Sequence, residues 1–462
     1  MVIVDVHRCA YCGGCVSVCP VAALTLEETR LVVDETCIDR EDCIAACPVG
    51  ALSPGLRLQP SPQTPLRRRY DLVVVGAGPG GSLAAQTAAQ AGLSVLLVEK
   101  RQEIGSPVRC AEGVGYDRIT AFLEPDARWI SAEITKAEIT AIAGDKHQVL
   151  GADGGRGYIL ERRVFDRVLA ERAAQAGAEV RVKTAATGLI MENSRVRGIK
   201  IRHSDYFSGD GEIEVEAQVI IAADGVESQV GRWAGLDTLL PLGDTMVCAQ
   251  YLLAGINIDP ACTSYWISYE IAPGGYAWVF PKGEGKANVG LGVQANLWQA
   301  AGPHSAGSEG QETVLGYLTR FIESRSFLAQ GYPVTLVVGN VPVALSPERI
   351  MTDGLMLVGD AARQVGAGLF FYHSYRSSTK DPPLLTGGGI INAMSAGQLA
   401  ARVAVEAIEV GDTSVNFLSR YEAAWEQREG RKLKRNYRLR EKFPPELRAA
   451  ERFIQAFALA VQ

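Results

Sequence analysis

The chain has 462 residues, of which 47% are hydrophobic and 21% charged, and its formal net charge is −6. That length exceeds one ordinary core and points to two or three domains of a soluble globular protein, while the acidic balance argues against nucleic acid as the main partner. No apolar run reaches the roughly 18–20 residues of a membrane-spanning helix, and no charged-then-apolar leader precedes Cys9. A cytoplasmic location is therefore expected, with peripheral membrane contact left open.

The first element in chain order is cysteine-rich. Seven of the ten cysteines lie within residues 1–47, and in a chain with no export signal such crowding reads as metal ligation rather than disulfides. Cys9, Cys12, Cys15 and Cys19, followed by Pro20, make a complete C-x2-C-x2-C-x3-C-P run. Its partner, Cys37, Cys43 and Cys47 followed by Pro48, lacks a cysteine at position 40, where Arg40 stands. Four thiolates can also hold Zn2+, but the full run is far more specific than a lone C-x2-C pair. Residues 1–53 resemble a two-cluster bacterial-type ferredoxin, in which the fourth cysteine of each run serves the other cluster. The resemblance implies Cys9, Cys12, Cys15 and Cys47 on a [4Fe-4S] cluster, with Cys19, Cys37 and Cys43 on the second. Arg40 offers no lone pair, and the remaining C-x5-C-x3-C-P spacing resembles the run that holds a three-iron cluster in seven-iron ferredoxins; the resemblance implies a [3Fe-4S] cluster here, the alternative being a [4Fe-4S] cluster whose last ligand is Asp39 or Asp42.

Residues 54–69, with four prolines and no periodicity, read as a linker. The pattern then changes. "YDLVVVGAGPGGSLAAQTAAQAGLSVLLVEK" runs strand, Gly-rich turn, helix, strand and acid. Gly76 suits the tight turn, Gly78 close approach to a pyrophosphate, Gly81 helix packing, and Glu99 the ribose hydroxyls. FAD rather than NAD follows from later segments. Strands end on Asp224-Gly225 and on Gly359-Asp360, and Gly387, Gly388 and Gly389 open a helix. A plain structural turn is the competing reading for any one of these, but not for all of them in this order.

These segments, with "EIGSPVRCAEGV" (103–114) and "ILERRVFDRVLA" (159–170), resemble the geranylgeranyl reductase family of hydroxybenzoate-hydroxylase-like flavoproteins over most of residues 70–435. The expected fold class is α/β with α+β: a ferredoxin-like module (1–53), the linker, then a Rossmann-type FAD domain (70–407). An antiparallel-sheet substrate domain (about 117–157 and 233–340) interleaves with the FAD domain, and a helical C-terminal region (408–462) follows. The resemblance implies that Cys110 acts beside the flavin in proton delivery or tuning, and that Arg109 helps to bind the cofactor. The bland alternative for Cys110 is a small buried residue, and Cys248 and Cys262 take that reading.

"YAWVFPKGEGKANVGLG" (276–292) fits the family's prenyl-chain signature. Tyr276, Trp278 and Phe280 alternate along a strand and share a face, with Pro281, Gly290 and Gly292 completing the motif. An aromatic wall for a long hydrocarbon is one reading; an ordinary sheet face packed on a helix is the other. The implied activity is FAD-dependent reduction of prenyl double bonds in a lipid, a (bacterio)chlorophyll or a quinone side chain. A relative of electron-transfer flavoprotein–quinone oxidoreductase and a pure electron carrier are the rival readings. No second Rossmann motif is present for NAD(P)H, which favours single electrons from a low-potential donor such as ferredoxin, relayed by the clusters.

Two segments stay open. Residues 426–443 carry eight basic and three acidic side chains, net +5, and residues 1–53 carry eight acidic and three basic, net −5. The tail would dock the module, meet an anionic surface, or be a solvated helix face. An insertion at about 366–381 would be a lid, a surface for the module, or a plain excursion.

Overall fold

The computed structural model describes residues 2–6, 8–27, 30–34, 36–38, 40–53, 66–143, 146–203, 212–298, 313–365 and 388–441. Most of the linker, the insertion, Asp39, Gly387 and the chain after 441 lie outside them.

The module is built of short pieces around its cysteines. Hairpin strands Leu24–Glu27 and Arg30–Val33 pair antiparallel, and Ile3–Val4 pairs with Leu52–Ser53, closing the ends of the module on each other. Two four-residue helices, Gly14–Ser17 and Asp42–Ala45, each carry a buried cysteine, Cys15 and Cys43. Its small core holds Val2, Leu24, Leu31 and Leu52 together with Cys9, Cys15 and Cys43. A core this small cannot stabilise fifty residues alone, and metal ligation ordinarily supplies the remainder.

The body starts with β1 (Arg69–Val75), α1 (Pro79–Gln90) and β2 (Val95–Val98), so Arg69 belongs to the first strand rather than to the linker. Leu72–Val75 is an apolar run buried on both faces, as a central parallel strand requires. Helix α2 (Arg162–Gln175) and strand β3 (Ile213–Ala222) follow. Strands Glu179–Arg181, β2, β1 and β3 lie side by side in parallel, and Leu355–Leu357 adds in parallel to the end of β3. Their carboxyl ends therefore share one edge of the sheet, where ligands of such sheets bind.

The second sheet interleaves with the first in sequence. It takes Gly113–Gly115, Ile130–Ala143 and Lys146–Leu160 from one excursion. From the other come β4 (Thr245–Ala254), β5 (Cys262–Ile267), β6 (Tyr276–Pro281), β7 (Lys286–Gln294) and, after helix α3 (Val314–Glu323), β8 (Tyr332–Pro342). The central order is β8-β4-β7-β6-β5. One face of β6, with Ala277 and Val279, packs with Leu318 and Phe321 of α3.

Helices α4 (Gly389–Val410), α5 (Val415–Trp425) and α6 (Arg431–Glu441) complete the body. Helix α4 crosses α1 where both lack side chains. A Cβ at Gly397 would lie 2.1 Å from the Gly80 carbonyl oxygen, and one at Gly80 would lie 2.9 Å from the Ala393 oxygen. Gly397→Ala is expected to cost about 1–3 kcal/mol, because backbone rather than a flexible side chain must move. Urea denaturation measures the loss, and flavin retention on gel filtration should fall with it.

Candidate functional site

In the module, Cys9, Cys12, Cys15 and Cys47 line one cavity, walled by Leu26 and Leu31. Burial pushes the Cys15 and Cys43 thiols up, and neighbouring thiols add to it. Those neighbours are Cys47 and Cys9 for Cys15, and Cys37 and Cys19 for Cys43. Cys9, Cys12, Cys15 and Cys47 thus lie near one another, and Cys43 lies near Cys19 and Cys37. Backbone amides donate to sulfur, Ala23 N to Cys19 Sγ at 3.3 Å and Ala51 N to Cys47 Sγ at 3.1 Å. Such bonds stabilise ligand sulfurs and tune cluster potential. Among the described residues no donor group has the spacing of a single-ion site. Arg40 pairs with Asp42 at 2.9 Å in an exposed contact, so the Asp42 carboxylate is already engaged; Asp39 lies outside the described residues.

The glycine turn after β1 divides its labour in space. A Cβ at Gly76, where φ is 99°, would sit 2.4 Å from the Ala223 oxygen, and one at Gly81 would sit 1.9 Å from the Gly76 oxygen. Gly78 alone faces open space, at the N-terminus of α1, where backbone amides and dipole favour phosphate. Glu99 accepts from the backbone N–H of Ala77 and of Arg101, each at 3.0 Å, which locks this turn to the end of β2. Gly388, with φ 61°, caps α4, and Gly389 is its first residue.

Two acids wait at the same edge. Asp224 Oδ2 accepts from Val230 N at 3.0 Å, while its buried Oδ1 has no donor among the described residues. Burial raises the Asp224 and Asp360 carboxyls above the ordinary range. A buried carboxylate oxygen without a donor, as at Asp224, is costly. Beside the open position at Gly78 and the open space at Gly225, the two acids fit a hydroxyl-rich dinucleotide that donates to them. The residues present therefore fit FAD.

The aromatic residues stand on the face of β6 opposite to α3. Directly paired residues across a sheet share a face. One row runs Tyr265, Trp278, Gly290, Gln250, and the next runs Tyr276, Gly292, Cys248, Gly339. Tyr265 packs edge-on to Phe280 with centroids 5.2 Å apart, and Tyr276 edge-on to Trp278 at 5.8 Å. This face meets Ala111 rather than a helix, and Pro281 belongs to the buried end of β6. The two glycines make room: a Cβ at Gly290 would strike the Trp278 ring at 2.6 Å, and one at Gly292 would lie 3.0 Å from Cys248 Sγ.

Cys110 hangs over this face. Trp278 Nε1 donates to Gln250 Oε1 at 2.8 Å, and Gln250 Nε2 donates to the Cys110 carbonyl at 3.3 Å. Burial raises the Cys110 thiol, opposed by the Arg162 guanidinium. Burial pushes Cys248 up to about 12, with Cys110 adding to it, and raises the Tyr276 phenol beside both cysteines. The same Arg162 guanidinium also lies close enough to oppose the rise at Asp360. Exposed Arg109 lays its side chain along Gly339.

A second network, which sequence reasoning missed, fixes the Cys110 loop. Lys282 Nζ donates to Glu112 Oε2 at 2.8 Å and to the Leu160 carbonyl at 2.6 Å. Asn288 Nδ2 donates to Glu112 Oε2 at 2.7 Å, and Arg162 N to Glu112 Oε1 at 2.8 Å. Arg162 forks onto Asp166 with two bonds of 2.8 Å. Lys282 is one residue past the prenyl signature's proline and Arg162 lies inside a quoted motif, but no spacing announces that they meet. Cys248, taken as structural, faces Cys110; Cys262 lies apart, with its thiol donating to the Thr263 carbonyl.

Three family models match the chain: a 4Fe-4S dicluster domain over 1–48, an FAD dependent oxidoreductase over 71–245, and a geranylgeranyl reductase catalytic domain over 244–341. The digeranylgeranylglycerophospholipid reductase of Methanocella arvoryzae is 46% identical over 379 residues, covering 81% of this chain and 88% of that protein. Its counterpart in Methanosarcina acetivorans is 48% identical over 364 residues, covering 78% and 81%. A geranylgeranyl bacteriochlorophyll reductase-like protein from Thermoplasma acidophilum superposes with TM-score 0.73 at 38% identity, covering 85% of this chain and 96% of that one. A flavin-dependent brominase at 17% identity and TM-score 0.59 shares the fold alone.

Lys282→Met should destabilise the protein by about 3–5 kcal/mol in urea, because it strands the buried Glu112 carboxylate. Raised by burial, Cys110 stays a neutral thiol through neutral pH. Its alkylation, followed by peptide mass spectrometry, should lag that of a free cysteine at pH 8 and catch up as pH rises further.

Proposed function

The chain belongs to the geranylgeranyl reductase family of flavoproteins, and from that premise we propose that it saturates geranylgeranyl-type chains carried on a glycerophospholipid. It is an FAD-dependent oxidoreductase, and the iron–sulfur module fused to it relays the electrons, delivered by an external low-potential one-electron donor. The curated relatives named above, both lipid reductases, support the glycerophospholipid over the chlorophyll or quinone. Each double bond takes up two electrons and two protons in becoming a single bond.

The observation that carries the reading is the meeting of three parts: the aromatic face of β6, the Cys110 thiol, and the carboxyl edge where FAD fits. Tyr276, Trp278 and Phe280 hold the hydrocarbon and exclude water. An isolated alkene resists hydride attack unless a proton reaches its other carbon. Cys110, kept protonated by burial, holds that proton at Sγ, and the Trp278–Gln250 bridge keeps its loop over the wall. FAD, when bound, supplies the hydride. Gly76, Gly78, Gly81, Glu99, Arg109, Asp224, Gly225, Asp360 and the glycines at 387–389 form its berth in this reading. The division into 1–53, 70–407 and 408–462, with the substrate part at about 117–157 and 233–340, belongs to the same proposal.

The second cluster, on Cys19, Cys37 and Cys43, we assign as [3Fe-4S]. Peripheral contact with a membrane would bring the lipid within reach; no helix among the described residues is long and apolar enough to cross one.

Anaerobic, dithionite-reduced protein given a digeranylgeranyl glycerophospholipid should return product heavier by two mass units per reduced bond. Reoxidation of the flavin by quinone alone, with no mass gain, would favour the quinone reductase instead. Iron analysis should find seven irons per chain, and the oxidised protein should give the EPR signal of a three-iron centre. Eight irons and no such signal would mean a second four-iron cluster.

A further inference from the structure

Among the described residues, the module meets the body at three consecutive residues of its first ligand loop, with the Asp5 carboxylate also facing Lys183. Lys183 Nζ donates to the Cys9 carbonyl at 2.6 Å and sits 5.6 Å from the centre of the Tyr11 ring. Gln102 Nε2 donates to the Ala10 carbonyl at 3.3 Å. The first bond is short and charge-assisted, and the second contact is within cation–π reach. Lys183 is half-buried and Gln102 exposed.

Both sides of this contact are backbone-constrained. Tyr11 has φ 54° and Lys183 has φ 52°, a region that non-glycine residues occupy only when the surroundings hold them there. Lys183 is fixed from behind by its own N–H, which donates to the Arg101 carbonyl at 2.8 Å. Arg101 and Gln102 belong to the loop that runs from Glu99 to Cys110. The basic tail, an alternative dock on charge alone, is anchored elsewhere: Tyr437 of α6 donates to Asp244 at 3.0 Å.

We propose that Lys183 and Gln102 form a seat for the Cys9–Tyr11 loop, orienting the module so that its four-cysteine site, not its three-cysteine site, is the one next to the flavin body. This rests on the proposed function only in giving the orientation a purpose. Electrons taken singly at the three-cysteine end then pass to the four-cysteine cluster before leaving the module, one in and one out. The acidic module, net −5 over 1–53 by eight acids against three arginines, is drawn to a cation, and the two directed hydrogen bonds fix which end arrives.

The test is hydrogen–deuterium exchange on the cluster- and FAD-loaded protein. Lys183→Glu should lower amide protection over residues 9–13 at least tenfold, Gln102→Glu should lower it less, and Lys183→Arg should retain it. Reduction of FAD by electrons fed to the module should slow in the same order, while direct photoreduction of FAD stays unchanged. If Lys183→Glu fails to fold, Gln102→Glu carries the test, since that side chain is exposed. Unchanged protection over 9–13 in the acidic variants overturns the seat. Exchange does not depend on alkene chemistry, so absence of reduced lipid with the seat intact would instead count against the proposed function alone.

Discussion

Two helices meet at Gly80 and Gly397 with no side chain between them, and the flavin end of the molecule is arranged around that crossing. Helix α1 begins at the turn after β1, and α4 begins directly after its Gly388 cap. Because the crossing falls within the first turns of α1 and the first half of α4, both amino-terminal ends are brought to the carboxyl edge of the first sheet. Each end carries unpaired N–H groups and partial positive charge. The acids at that edge, Asp224 and Asp360, would be a poor arrangement in an empty protein. Beside two helix amino termini and an open glycine they make a berth with both donors and acceptors.

The second sheet is tied to this berth by buried charge rather than by apolar packing alone. Lys282, Glu112, Arg162 and Asp166 are each expensive to bury, and each finds its opposite partner with short, directed bonds. The three-way Glu112 junction pins the Cys110 loop to Lys282 and Asn288 of the second sheet and to the start of α2, while the Arg162–Asp166 fork braces α2 itself. The cost in desolvation goes into holding the Cys110 loop at one height above the aromatic face. In the proposed reaction, a thiol that hands over a proton needs that accuracy more than it needs charge.

Much of this was legible in the sequence where a residue acts through its backbone or its local spacing. The cysteine runs, the Gly76–Gly81 turn and the alternation of Tyr276, Trp278 and Phe280 are local patterns, and local patterns survive in one dimension. The alternation also left an ambiguity that only the sheet resolves: α3 covers Ala277 and Val279, so the aromatic side is the other one. Lys282 with Glu112, Arg162 with Cys110 and Cys248 with Cys110 are meetings of distant segments, and nothing in their spacing encodes them. Lys183 was invisible for the same reason. Its role depends on where a separate domain comes to rest. Charge summed over segments pointed to the basic tail, but net charge says nothing about hydrogen-bond direction.

Gly290 and Gly292 control how closely the aromatic face packs. They lie on β7, directly across from Trp278 and Tyr276 of β6 and from Gln250 and Cys248 of β4. A single methyl group added there would push an indole or a thiol forward. The lie of the indole and the thiol is therefore set by two missing side chains on the neighbouring strand. A substitution on β7 would thus reshape the aromatic face without changing any of its aromatic residues.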